Sequence, residues 1–426
     1  YLFAHDPLGP SGDGSDGLIA CGSYTGGGSS SVDINLDWEA QWVMIKRTDA
    51  SGFGWIMLDT MRGIPTGGLN AWLRANGSDA EAFPSEYINV TPTGFKTVAN
   101  NGNTNASGGT YIYIAIRRGP MRQPESGTEV FAPVVKSVDN TFTSTGHVVD
   151  LLIESKRTSP NTTYQHLTLD RLRGTNALTT FSTAAEYAGV VSPWFSSNTG
   201  FNPTNFYAPT TGDYMFWAFR RAPGFFDVVA YTGDGVAGRT VPHNLGVAPE
   251  LMIVKCRENT NKWFVYHKDL ISAFYQLELD SGPQGTLGNP WYGTHPTSAV
   301  FTVNGDFNTN HTALGHIAYL FATLPGVSKV GSYTGNGTSQ TINCGFTSGA
   351  RFILIKRTDS TGDWYVWDTA RGIVAANDPH LSLNTTAAEV TTDDSVDPDS
   401  SGFIVNQVAA TNINVNAASY IYYAVS

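Results

Sequence analysis

Cysteine is scarce: this chain of 426 residues has three, Cys21, Cys256 and Cys344. They are odd in number, lack C-x-x-C spacing and fall at non-equivalent places, which excludes a disulfide framework and a cysteine-rich zinc site. Charge is also scarce. Only 14% of residues are charged, and 25 Lys and Arg face 36 Asp and Glu, for a net charge of −11. No extended basic run is present. The chain therefore lacks the cation density that neutralises nucleic-acid phosphates and that draws a protein to anionic lipid. No apolar run approaches the roughly 18–20 residues of a membrane-spanning helix. The expected partners thus exclude nucleic acid and membrane insertion. Nine histidines form no H-x-x-x-H or H-E-x-x-H pair. No G-x-S-x-G elbow occurs. Pieces such as Gly233-Asp234-Gly235 sit among turn residues and not ahead of a helix, where a phosphate cradle would be. No catalytic residue, cofactor or metal is expected.

What the chain has is glycine and aromatics. Its 45 Gly and 21 Pro point to many turns, and its 19 Tyr, 22 Phe and 10 Trp suit pleated, half-buried surfaces. No long segment keeps a helical period, so the expected class is all-β. One passage organises the rest. Ile45-Lys46-Arg47-Thr48-Asp49, followed by Trp55, Asp59 and Arg62-Gly63, returns as Ile355-Lys356-Arg357-Thr358-Asp359, Trp364, Asp368 and Arg371-Gly372. Looser copies read Lys156-Arg157 with Asp170 and Arg173-Gly174, and Lys255 with Trp263 and Asp269. The opening Gly22-Ser23-Tyr24-Thr25-Gly26 recurs as Tyr231-Thr232-Gly233 and Gly331-Ser332-Tyr333-Thr334-Gly335, but not in the second copy. A Gly-Phe pair and an aromatic closing segment recur as well, the latter centred on Ala115, Ala218, Ala322 and Ala424.

Self-similarity at a fixed period sets the architecture. Here it predicts four tandem β-sandwich repeats of about 103 residues, each large enough for its own core. The expected bounds are 17–119, 120–222 (divergent), 223–325 and 326–426. Residues 1–16 read as the closing strand of a preceding repeat plus a linker, because Tyr1-Leu2-Phe3-Ala4 matches Tyr319-Leu320-Phe321-Ala322. The rival architecture is a β-propeller with two blades per repeat, at roughly 40–50 residues per blade; no half-period repetition supports it.

The recurring set Lys46, Trp55, Asp59, Lys156, Asp170, Lys255, Trp263, Asp269, Lys356, Trp364 and Asp368 is the most tempting site. Its presence in nearly every repeat argues for fold maintenance, with a cross-strand Lys–Asp pair and the lysine stem packed on tryptophan. Trp72, Trp194 and Trp291 lie outside the recurring positions, in irregular segments, and are the candidate sugar-binding aromatics. Asp393, Asp394, Asp397 and Asp399 read as a solvated acidic loop in preference to a Ca²⁺ site. Asn76 and Asn384 head N-x-S/T sequons and are candidate glycosylation positions.

The opening motif, the Ile-Lys-Arg-Thr-Asp strand, the Trp-to-Asp-x-x-Arg-Gly segment and the closing strand together resemble a repeat module of tailed-phage structural proteins, common in phages of aquatic bacteria, cyanophages included. The likeness covers nearly the whole chain and is weakest in the second repeat. It implies a location and no catalytic residue. The resulting expectation is a non-enzymatic structural protein of a phage tail, fibre or extracellular tube, made in the bacterial host cytoplasm and partnered with itself as a homo-oligomer or filament. A host-glycan-binding adhesin, with host surface glycan as partner, is the alternative, and a polysaccharide depolymerase the second alternative.

Overall fold

A computed structural model describes residues 2–6, 17–83, 85–119, 122–136, 142–158, 166–187, 195, 197–202, 214–270, 276–285, 288–305 and 308–426. The protein is all-β, built from antiparallel sheets with no closed barrel. Each repeat holds one five-stranded sheet of the same order: opening, closing, lysine-bearing, tryptophan-bearing and a short edge strand. A second sheet of two or three strands completes the sandwich.

The chain separates into two compact units. Unit 1 is Tyr1–Met121 with Asp170–Thr175 and Ser192–Asn198. Its main sheet runs Ile19–Thr25, Thr110–Arg117, Ala40–Arg47, Ile56–Asp59, Trp72–Arg74. Its small sheet runs Asp33–Asn35, Gly94–Thr97, Ile88–Thr91. Alternation places Val43, Ile45, Ile56, Leu58 and Ala115 between the sheets, all buried. The other face of the same strands, with Met44, Met57 and Ile114, is only half-buried.

Unit 2 holds repeats 3 and 4 and most of repeat 2. Their main sheets are centred on the closing strands Tyr214–Phe219, Gly315–Phe321 and Ser419–Val425. Both faces of these sheets are buried. One face forms each sandwich core, such as Val254, Phe264, Trp291 and Phe301 in repeat 3. The other face carries Phe219, Phe321, Phe352 and Tyr423, which meet in one aromatic cluster with ring centroids 4.9–6.2 Å apart. Strands buried on both faces read as unbroken apolar runs, which is why Leu251–Cys256 and Phe352–Arg357 show no alternation.

Two recurring letters have a local cause. In repeats 1, 3 and 4 a buried asparagine, Asn105, Asn310 or Asn414, pins the glycine-rich turn after the opening strand. Asn414 accepts from the Asn336 N–H at 2.9 Å and donates to the Thr338 and Val405 carbonyls at 3.2 and 3.1 Å. The glycine of each Gly-Phe pair sits where a Cβ would lie about 2 Å from a facing carbonyl: Ile34 for Gly94, Thr143 for Gly200, Ile342 for Gly402. Only glycine permits that approach.

Candidate functional site

The recurring motif occupies the outer face of each main sheet, and backbone bonds define its register. The N–H of Asp150 donates to Phe219 O at 2.8 Å, as Glu250 does to Phe321 O at 2.9 Å and Arg351 to Val425 O at 2.7 Å. Counting from these bonds, the partner of Lys255 and Lys356 in repeat 2 is buried Ser155, not Lys156, which falls one place later. Leu251 pairs with His267, just as Phe352 pairs with Asp368 and Trp42 with Asp59. The residue at the aspartate position of repeat 3 is therefore His267, and Asp269 lies two residues beyond it. The carbonyls of Trp55, Trp263 and Trp364 accept from Ala75, Leu279 and Leu383, and in repeat 2 the His166 carbonyl accepts from Thr180. His166 thus replaces the tryptophan. In repeat 3, Phe321 occupies the place of Val425, so Leu320, and not Ala322, matches Ala424.

The expected Lys–Asp pair gives way to other partners. Each aspartate folds back on the arginine three residues later: Asp59–Arg62 at 2.5 Å, Asp170–Arg173 at 2.5 Å and Asp368–Arg371 at 2.7 Å. The same carboxylate accepts the arginine N–H, at 2.8, 3.0 and 3.0 Å, and the following Gly63, Gly174 or Gly372 turns the chain at positive φ. The lysines reach backbone carbonyls instead. Lys46 bonds to Phe53 O, Lys255 to Asn259 O at 3.0 Å, and Lys356 to Gly362 O at 2.5 Å. Burial pushes the Lys356 ammonium down to about 8.

In unit 2 this face is where the repeats lock together, in a cycle. Trp263 Nε1 of repeat 3 donates to Thr179 O of repeat 2 at 3.0 Å, and Trp364 Nε1 of repeat 4 donates to the matching Glu278 O of repeat 3 at 3.1 Å. Three equivalent backbone bonds close the circuit: Glu186 N–H to Arg257 O at 2.6 Å, Gln284 N–H to Thr358 O at 2.8 Å and Glu389 N–H to Arg157 O at 2.9 Å. Two of these carry an ion pair alongside, Arg257–Glu186 and Arg157–Glu389, both at 2.8 Å. Lys356 also reaches Asp280 O of repeat 3, and Trp217 Nε1 of repeat 2 donates to Asp368 of repeat 4 at 3.0 Å. The result is an internal threefold made by one chain.

The tryptophans chosen as sugar contacts do not serve there. Trp72 is 8% exposed against Tyr87, and Trp291 is 1% exposed inside the repeat 3 core. Both fill cores, so neither offers a ring face to a ligand. Trp194 lies outside the described residues. The amides of Asn76 and Asn384 cap the tryptophan strands by accepting from Trp55 and Trp364 N–H at 2.9 and 2.8 Å. Asn384 Nδ2 also donates to Asp363, a bond that glycosylation there would disturb. The inter-repeat acids were visible only as a recurrence of Ala80-Glu81, Ala185-Glu186 and Ala388-Glu389.

A family model described as a domain of unknown function, DUF7483, matches residues 14–120 and 134–426. The chain belongs to the DUF7483 family. The gap in the match falls within the passage that leads from repeat 1 into repeat 2. No curated protein matches this DUF7483 chain. Among its described residues no helix is long and apolar enough to cross a membrane.

Proposed function

We propose that this DUF7483 chain is a non-enzymatic structural protein of a phage tail, fibre or extracellular tube. One observation supports the reading above others: in unit 2 the recurring residues Trp263, Trp364, Lys356, Asp368, Glu186 and Glu389 join repeat to repeat. Asp368 is saturated by Arg371 and Trp217, and Glu389 by Arg157 and Arg371. Charged groups consumed in this way hold shape and have no capacity left for general acid–base work. A stiff block of locked sandwiches is what a load-bearing fibre or tube wall needs. Burial of Trp72 and Trp291 removes two of the three candidate aromatics for a glycan-binding role. Similarity to phage modules in the recurring strands agrees with a virion or extracellular location.

The test is immunogold labelling of particles purified from a lysate that contains the chain. Label on the tail, its fibres or an attached tube is the expected result. Recovery of the chain only in the soluble, non-particulate fraction would count against the assignment. Release of reducing ends from host polysaccharide by the purified chain would replace it with an enzyme.

A further inference from the structure

Within unit 1, the outer face of the main sheet is only half-buried. In repeat 4 this face is closed, with Leu354, Val366 and Tyr423 all buried. The matching residues of repeat 1 are Met44, Met57 and Ile114, each half-buried, and the neighbouring Ile112 is 39% exposed. Trp55 stands where Trp263 and Trp364 stand, but it is only half-buried. Glu81 matches Glu186 and Glu389, and its side chain is 36% exposed, with Arg62 at 3.4 Å. Among the described residues of unit 1, the face thus presents the elements that lock repeats 2, 3 and 4 without their counterparts.

We infer that unit 1 binds the unit 1 of two further copies of this chain, forming between molecules the threefold that unit 2 forms within one. Complementarity of the two edges points to copies of itself. One edge of the repeat 1 face carries Glu81, at the position of Glu186 and Glu389; the opposite edge carries Thr48, at the position of Arg257, Thr358 and Arg157, while the neighbouring Arg47 pairs with Asp49 at 2.9 Å. In unit 2 this edge of one repeat meets the facing edge of the next, with an ion pair where Glu186 meets Arg257 and Glu389 meets Arg157 and through the backbone where Gln284 meets Thr358. A head-to-tail contact of this kind generates a ring when the rotation closes. Unit 2 supplies the rotation, since its three backbone bonds close after three modules. In the ring, Glu81 N–H would donate to Thr48 O of the next copy. Trp55 Nε1 would donate to Arg74 O, and Lys46 would reach Asn76 O. Thr48 in place of arginine is no obstacle, because repeat 4 makes the same contact through Thr358. Around the axis, Ile114 and Ile116 would replace the cluster built in unit 2 from Trp217, Phe219, Phe321 and Tyr423.

The inference rests on reading the repeats as shape-building modules, and it can fail separately from that reading. A trimer without label on particles would leave the interface standing and remove the virion assignment; labelled particles with a monomeric chain would do the reverse. Sedimentation of the full chain is expected to give three times the 45.8 kDa chain mass. Ile114→Glu is expected to return it to monomer with an unchanged β-sheet circular dichroism spectrum. A second variant guards against misfolding. Thr48 and Glu81 are both exposed. The double variant Thr48→Cys/Glu81→Cys would place its cysteines on neighbouring copies at the spacing of a facing strand pair, within disulfide reach. Oxidation is expected to give a covalent trimer on a non-reducing gel. A monomer or dimer at tens of micromolar, a trimer indifferent to Ile114→Glu, or cysteines that do not join copies would each overturn the inference.

Discussion

Asp368→Ala is expected to destabilise unit 2 by about 3–5 kcal/mol, the range for breaking a buried charge pair from one side. The Asp368 carboxylate and the Arg371 guanidinium are fully buried, and the carboxylate also accepts the Trp217 indole N–H from the neighbouring repeat. Removing it leaves a guanidinium out of water with Glu389 as its remaining acid, at 3.3 Å. The same substitution at Asp59 is expected to cost only about 1 kcal/mol, because water screens a partly exposed pair; the Asp59 and Arg62 side chains are 18% and 22% exposed. Urea unfolding of the two variants, followed by hydrogen exchange in peptides from each unit, measures both. Equal losses would mean that the recurring aspartate does the same job in repeats 1 and 4.

The second large effect is of pH. Burial pushes the imidazoles of His166 and His316 down to about 4 and lowers those of His147, His243, His267 and His380. All six lie in unit 2, whereas unit 1 contains His5 alone. The folded-state pKa lies below the unfolded value of about 6.5. As pH falls from 6.5 towards 4, the unfolded chain therefore binds protons that the folded chain refuses. Stability is fully present above pH 6.5 and is lost across that window. His166 and His316 each account for roughly 3 kcal/mol of the loss. Asp378 and Glu154 oppose it. Burial raises their carboxyls to about 7 and about 8, so in the same window the folded state keeps protons that the unfolded state releases. Two carboxyls offset about two of the six histidines, and the net sign remains destabilising. Hydrogen exchange at pH 7 and pH 4.5 is expected to show protection lost first in peptides of unit 2. Earlier loss in unit 1 would contradict this.

Much of the fold was legible because a period is a long-range signal that needs no energy estimate. Lys46 and Lys356, Trp55 and Trp364, and Asp59 and Asp368 align letter for letter and fall on equivalent strands. The Gly-Phe pair was legible for a similar reason, since a facing carbonyl fixes the glycine. Register failed where letters drift. Lys156 attracted the alignment although Ser155 fills the buried place, and Asp269 did so although His267 does. A buried position demands a volume and a hydrogen bond, and a different residue can meet both. Trp72 and Trp291 were misread because irregular sequence suggested exposed loops, whereas short edge strands and turns here cover a core. The joining of three repeats was not legible at all. It depends on which sheet face meets which, and Arg157 and Glu389 are separated by 232 residues.

The central claim is that the recurring residues hold repeat against repeat. A double-mutant cycle on Arg157 and Glu389, using Arg157→Ala, Glu389→Ala and the pair, tests it most directly by urea unfolding. The ion pair is mostly buried, with side chains 20% and 7% exposed. A coupling of about 1–3 kcal/mol is predicted. Additive single effects would contradict the account.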